Sequence, residues 1–155
     1  MTGITGPLSA ANQKIVAEAL QGALVDLIDL SLIAKQAHWN VVGPHFRSLH
    51  LQLDELVTIA RDHADTIAER AVALGINPDG RAATLAESTQ VQQPELSWLE
   101  DGKVVATFTD VLADVSQRMR ARIDATNDPD PVTQDLLIAV AQDIEKQHWM
   151  FQAQR

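Results

Sequence analysis

The amino-acid sequence predicts an all-α protein, a four-helix bundle whose two halves are joined by a long middle crossover carrying a short helix. Three observations carry that expectation. Apolar residues recur at steps of three and four in four separate segments, the period of a helix buried on one face. Gly, Pro, Asn and Asp cluster at the joints: Gly43-Pro44, Gly75 to Gly80, and Asn127 to Pro131. No strand-like alternation, internal repeat or low-complexity tract competes with this pattern.

In the first helix the apolar or small stripe is legible from Ile15 through Leu20, Leu24, Leu27, Ser31 and Ala34, and His38 is its next beat. Gly43-Pro44 supplies a stop and a restart, because Gly tolerates a left-handed turn and Pro suits a helical first turn. A second helix runs from about 45 to 74 with the stripe Phe46, Leu49, Leu53, Val57, Ala60, Ala64, Ile67, Ala71 and Leu74, closed by Gly75 as C-cap. These two helices make an antiparallel hairpin. Residues 76–103 mix polarity with turn formers and show weak helical pattern at Arg81 to Glu87 and at Glu95 to Glu100, so one short helix is expected in this crossover. A third helix spans about 103–126 through Val105, Phe108, Val111, Leu112, Val115, Met119 and Ile123. The fourth starts near Thr133 and runs to the C-terminus through Leu136, Leu137, Val140, Ile144, His148 and Phe151. Four helices with one long middle connection are the ferritin-like arrangement. Residues 1–155 read as one domain with a short N-terminal segment at 1–10.

With no cysteine among 155 residues, there is no disulfide framework and no thiolate ligand, so a metal would be held by nitrogen and oxygen. The stretch MTGITGPLSAANQ has neither a basic nor an apolar leader region, and no apolar run reaches spanning length, so a cytoplasmic protein with no membrane partner is expected. A formal charge of −9 disfavours polyanions and favours cations.

On a helical wheel with His50 at zero, Asp54 falls near 40°, Asp65 near 60° and Glu69 near 100°, at about 100° per residue. These four metal-competent side chains share a wedge beside the apolar stripe rather than opposite it. His50 and Asp65 are nevertheless separated by over roughly 20 Å along the axis, far beyond a metal bond of about 2 Å. One helix therefore cannot close the site on itself. Antiparallel pairing with a second copy would bring His50 of one chain level with Asp65 and Glu69 of the other, twice per two-fold dimer. His38 faces His50 across the hairpin turn. Two imidazoles and several carboxylates suit Fe(II) or a pair of divalent ions, with zinc and manganese as competitors. Taken singly, each residue also has a plainer reading: a hydrogen-bonded core histidine, or a solvated Asp or Glu.

The stretches KQAHWNVVG, FRSLHLQLDEL and DTIAERAVALG, spanning residues 35–75, resemble the signature of the Dps family, dodecameric ferritin relatives named for DNA protection in starved cells. The resemblance implies a homododecamer built from two-fold dimers, with an intersubunit ferroxidase centre. Its ligands would be His38, His50 and Asp54 from one subunit, and Asp65 and Glu69 from the dimer partner. It implies iron storage and detoxification: oxidation of Fe(II), preferably by hydrogen peroxide and otherwise by oxygen, with ferric mineral kept inside the shell as protection against oxidative stress. Trp39 would lie beside the iron and intercept radical equivalents, or pack the dimer interface. Lys35, three residues before His38, has two readings, a hydrogen bond near the site or a solvated helix residue, and the solvated one is expected. The resemblance also implies a three-fold pore at Asn127 to Asp135, for which Asp128, Asp130 and Asp135 are the candidates, one of them serving as a helix cap.

Glu145-x-x-His148 has the spacing of an intrabundle di-iron unit but no second copy, so His148 and Trp149 are expected to pack the last helix. DNA binding in the family that the chain resembles often relies on a lysine-rich terminal tail, whereas residues 1–13 contain no Lys or Arg. Twelve chains at −9 each would carry a formal −108, so DNA binding is expected to be weak or absent. Two other classes stay open: a metal-dependent acyl or amide hydrolase using the same binuclear site, and a redox-inert shell with structural zinc.

Overall fold

The computed structural model describes residues 3–155, which form five helices and one two-stranded pair. The helices are α1 (Ala10–Asn40), α2 (Phe46–Ala73), α3 (Ala82–Ser88), α4 (Asp101–Thr126) and α5 (Pro131–Gln152). The chain therefore has the ferritin-like bundle. α1 packs mainly on α2, and α4 on α5, so two antiparallel hairpins face one another. Leu27 and Leu30 of α1, Leu53 and Ile67 of α2, Leu112 and Met119 of α4, and Ile144 of α5 are fully buried between them. Phe108 and Phe151 stack with ring centroids 5.5 Å apart.

α1 begins five residues before its apolar stripe becomes legible, because Ser9 caps it by accepting the Asn12 N–H at 3.3 Å. Gly43 has φ +126, the left-handed turn expected of it, but Pro44 precedes the helix rather than opening it. α2 ends in a Schellman turn: Gly75, at φ +72, donates its N–H to Val72 and Ile76 donates to Ala71, both at 2.9 Å.

The crossover differs from expectation at its end. The weak pattern at Arg81 to Glu87 becomes the expected short helix, α3, with Arg81 as its N-cap, whereas the weak pattern at Glu95 to Glu100 forms no helix. Instead β1 (Val41–Val42) and β2 (Leu99–Glu100) pair in parallel, Val41 with Leu99 and Val42 with Glu100. Two-residue strands are too short to show alternation. Midway, buried Asp29 of α1 accepts the Thr89 hydroxyl at 2.5 Å and the Gln93 amide at 2.8 Å, tying the crossover to the bundle.

A buried ionic knot joins the two hairpins. Asp26 of α1 accepts Nε and Nη2 of Arg118, both at 3.0 Å, and Nη1 of Arg122 at 2.7 Å. Gly22, one turn before Asp26, leaves room for the second guanidinium: a Cβ there would stand 2.8 Å from Arg122 Nη2. No helix among the described residues is long and apolar enough to cross a membrane.

Candidate metal centre

The hairpin between α1 and α2 brings the two histidines together. The imidazoles of His38 and His50 stack with centroids 3.6 Å apart and planes 19° from parallel. Each Nδ1 meets the other residue's backbone carbonyl, His38 Nδ1 at 2.7 Å from His50 O and His50 Nδ1 at 2.9 Å from His38 O. A carbonyl oxygen only accepts, so both Nδ1 atoms carry the proton. In the neutral rings, Nε2 is then the lone-pair nitrogen, which is how ligating histidines are usually oriented. His38 is buried and His50 half-buried at the rim.

Asp54 lies one turn beyond His50, and Lys35 one turn before His38, so hairpin register makes them opposite partners. Lys35 donates to Asp54 Oδ1 at 2.5 Å, and this hydrogen bond holds the Asp54 carboxyl below the usual carboxylate range. Lys35, expected to be solvated, is instead hydrogen-bonded to Asp54. A sequence signal existed, since pairing His38 with His50 in an antiparallel hairpin also pairs Lys35 with Asp54. Trp39 is 63% exposed. With Lys35, Leu32, Arg61 and Leu96 it lines a groove of about 420 Å³.

Asp65 and Glu69 lie further along α2, both exposed and without a hydrogen-bonded or ionic partner among the described residues. One chain does not bring them to the histidines. Among the described residues, no three His, Asp or Glu side chains stand close enough to hold a metal ion. The donor set of two imidazoles and three carboxylates, all nitrogen and oxygen, fits Fe(II) chemically.

Around the α4–α5 turn, Asp128 and Asp135 are exposed, while Asp130 is buried at the N-cap position of α5. Asp130 accepts Arg70 Nη2 at 2.7 Å and the Thr133 hydroxyl at 2.5 Å. Burial would raise its pKa, but the hydrogen bonds from Thr133 and Arg70 outweigh it and hold the carboxyl below its ordinary value. A carboxylate with a depressed folded pKa stabilises above its unfolded pKa, and that stability is lost as pH falls through the folded value. The stability gap between wild type and Asp130→Asn should therefore be widest above about pH 5 and close on acidification. Urea unfolding at stepped pH measures it; a gap that does not change with pH would refute the assignment.

Glu145 accepts Arg120 Nε at 2.5 Å and Nη2 at 2.9 Å. His148 is half-buried, but Trp149 is 61% exposed, so it does not pack the last helix within the chain as expected. Its ring lines a shallow groove with Gln52 and Glu55 of α2 instead.

Residues 17–155 match the family model described as a ferritin-like domain. The chain is 37% identical over 151 residues to the fine tangled pili major subunit of Haemophilus ducreyi, covering 94% of this chain and 77% of that protein. It is 36% identical to the DNA protection during starvation protein of Mycolicibacterium smegmatis, covering 99% and 84%. Among solved structures, Dps from Microbacterium arborescens in the high iron form superposes with a TM-score of 0.91 at 30% identity, covering 97% of each chain.

Proposed function

This chain belongs to the ferritin-like family and within it to the Dps proteins, and on that footing we propose that it is an iron-storing ferroxidase whose site is shared between two subunits. The observation that carries the reading is the stacked His38–His50 pair, with both Nδ1 atoms committed to carbonyls and both Nε2 lone pairs left over. Asp65 and Glu69, exposed and unpartnered, supply the carboxylates that a second copy would bring.

Iron is substrate here. Two Fe(II) ions each give one electron to hydrogen peroxide, the O–O bond breaks, and two protons are taken up to leave two waters and two Fe(III). His38 and His50 bind through Nε2, while Asp54, Asp65 and Glu69 favour the ferric product because anionic oxygen is a harder donor than imidazole. Oxygen is the slower alternative oxidant. Trp39, adjacent to His38, is the side chain placed to take up a stray oxidising equivalent. The mineral is held in a homododecamer assembled from two-fold dimers, in the cytoplasm. The exposed Asp128 and Asp135 serve as the inlet, drawing cations by an attraction that weakens with salt. DNA binding is weak or absent, because a formal charge of −9 per chain repels phosphates.

The test is anaerobic Fe(II) loading of assembled wild type and Asp65→Ala, both sized by gel filtration, followed by hydrogen peroxide with ferric absorbance and retained iron recorded. Wild type should oxidise rapidly and retain iron, and an intact Asp65→Ala shell should lose at least about tenfold of the fast phase. If wild type oxidises no faster than buffer, the ferroxidase reading is wrong and the hydrolase or structural-zinc readings replace it.

A further inference from the structure

His50 lies just inside the start of α2, and nothing in the local sequence secures the turn before it. The N-cap, His45, makes no side-chain capping hydrogen bond, no acidic residue follows in the first turn, and His45 has ψ 14, outside the extended conformation from which capping side chains reach. We infer that Asp101, at the start of α4, caps α2 in place of a local residue and is thereby a positioning residue for the His38–His50 pair. The inference rests on the ligand set proposed above and adds to it a residue that lies outside that set.

Three observations support it. The Asp101 carboxylate reaches from α4 to that turn: Oδ2 accepts the His45 N–H at 2.9 Å and stands 2.9 Å from His45 Nδ1, while Oδ1 accepts the Gly102 N–H at 2.8 Å. One carboxylate therefore sits between two helix N-termini, where its charge favours both. Its side chain is 18% exposed, and the hydrogen bond from the His45 N–H is the main influence holding the carboxyl below the usual carboxylate range. The turn is also shaped to receive it, because a Cβ at Gly43 would stand 2.7 Å from Asp101 Cγ. Finally, the pairs Val41–Leu99 and Val42–Glu100 end immediately before Asp101, so one stretch of crossover grips the hairpin turn on both sides. From there the path to the histidines is short. His45 O accepts the Leu49 N–H at 3.2 Å, the Phe46 and His50 ring centroids are 5.0 Å apart, and His50 O is the acceptor for His38 Nδ1. Fraying of an uncapped first turn would move His50, and with it both hydrogen bonds that direct the Nε2 lone pairs.

The probe is Co(II) in anaerobic, peroxide-free buffer, titrated calorimetrically into assembled wild type, Asp101→Ala, Asp101→Asn, Asp79→Ala and His50→Ala, each sized by gel filtration. Asp79, beyond the opposite end of α2, bonds Arg81 and Thr84 and controls for loss of a structural carboxylate alone. Asp101→Ala should weaken Co(II) binding by about three- to tenfold, the span to which a lost helix cap corresponds, and should shift the visible Co(II) absorption as the imidazoles move. Asp101→Asn keeps an acceptor for the His45 N–H, so it should weaken binding by only about two- to threefold, and it carries the test if Asp101→Ala does not assemble. Asp79→Ala should bind Co(II) as wild type does. Wild-type affinity in the Asp101 variants, or an equal loss in Asp79→Ala, refutes positioning by Asp101. Those outcomes leave the ligand set standing provided that His50→Ala weakens Co(II) binding. If His50→Ala gives the wild-type isotherm, the ligand set itself fails and the inference falls with it.

Discussion

Subunits carrying His50→Ala and subunits carrying Asp65→Ala, each without fast Fe(II) oxidation alone, should recover about a quarter of the wild-type fast phase when co-expressed in equal amounts. The reason is the distance along α2. Because His50 and Asp65 lie on one helix with no metal-competent cluster joining them among the described residues of a single chain, each proposed site takes its histidines from one subunit and these carboxylates from another. A two-fold dimer of one variant with the other has one site bearing both substitutions and one bearing neither. Random pairing makes half of the dimers mixed, and half of the sites in those dimers are intact. Native mass spectrometry establishes that the shells are mixed, and stopped-flow absorbance then reads the fast phase. A site contained within one subunit would give no recovery, and that result in verified mixed shells would end the shared-site reading.

Asp26→Ala should destabilise the fold by about 3–5 kcal/mol, a large part of the roughly 5–15 kcal/mol available to an ordinary domain. Asp26 is 2% exposed and is the sole carboxylate between Arg118 and Arg122, whose side chains are themselves largely buried. Removing it leaves two guanidiniums facing one another without a counter-charge. In a chain of this length the loss should lower Tm by roughly 10 °C or more. Calorimetry on intact shells measures it. Replacing Asp26, Arg118 and Arg122 together with apolar residues of similar volume should recover most of the loss, because the cost of Asp26→Ala lies in the stranded charge. A shift of only a degree or two in Asp26→Ala would show that the knot contributes no more than a surface ion pair.

The long helices were legible because a one-sided apolar stripe over six or more turns has no other explanation than a buried helical face, and Gly43 and Gly75 mark their ends. Phe46, which belongs to the α2 stripe by spacing, is 43% exposed. It stands at the first turn, its ring tilted against the His50 imidazole with centroids 5.0 Å apart. The parallel pair of Val41–Val42 with Leu99–Glu100 could not be read, since it depends on contact between residues almost sixty positions apart. His38 and His50 were legible as a pair through hairpin register. For Lys35 the local pattern at the edge of an apolar stripe is the same whether solvated or bonded, and only the hairpin register that sets it opposite Asp54 separates the two readings. Asp130, one of three acids in the turn, is distinguished by the Thr133 hydroxyl three residues on and by Arg70 arriving from α2.

The small β1–β2 bridge also bears on how the chain reaches this fold. α1–α2 and α4–α5 are each joined by short turns, so each hairpin can collapse early with little loop-closure entropy. The bridge lies where the long crossover must deliver the second hairpin to the first in parallel register with it. Four backbone residues, together with the Asp29 tether to Thr89 and Gln93, therefore mark the step at which two local folding units become one nonlocal topology. Refolding should be paced by this docking, and a chain halted before it would expose the apolar faces of both hairpins, the species most open to aggregation.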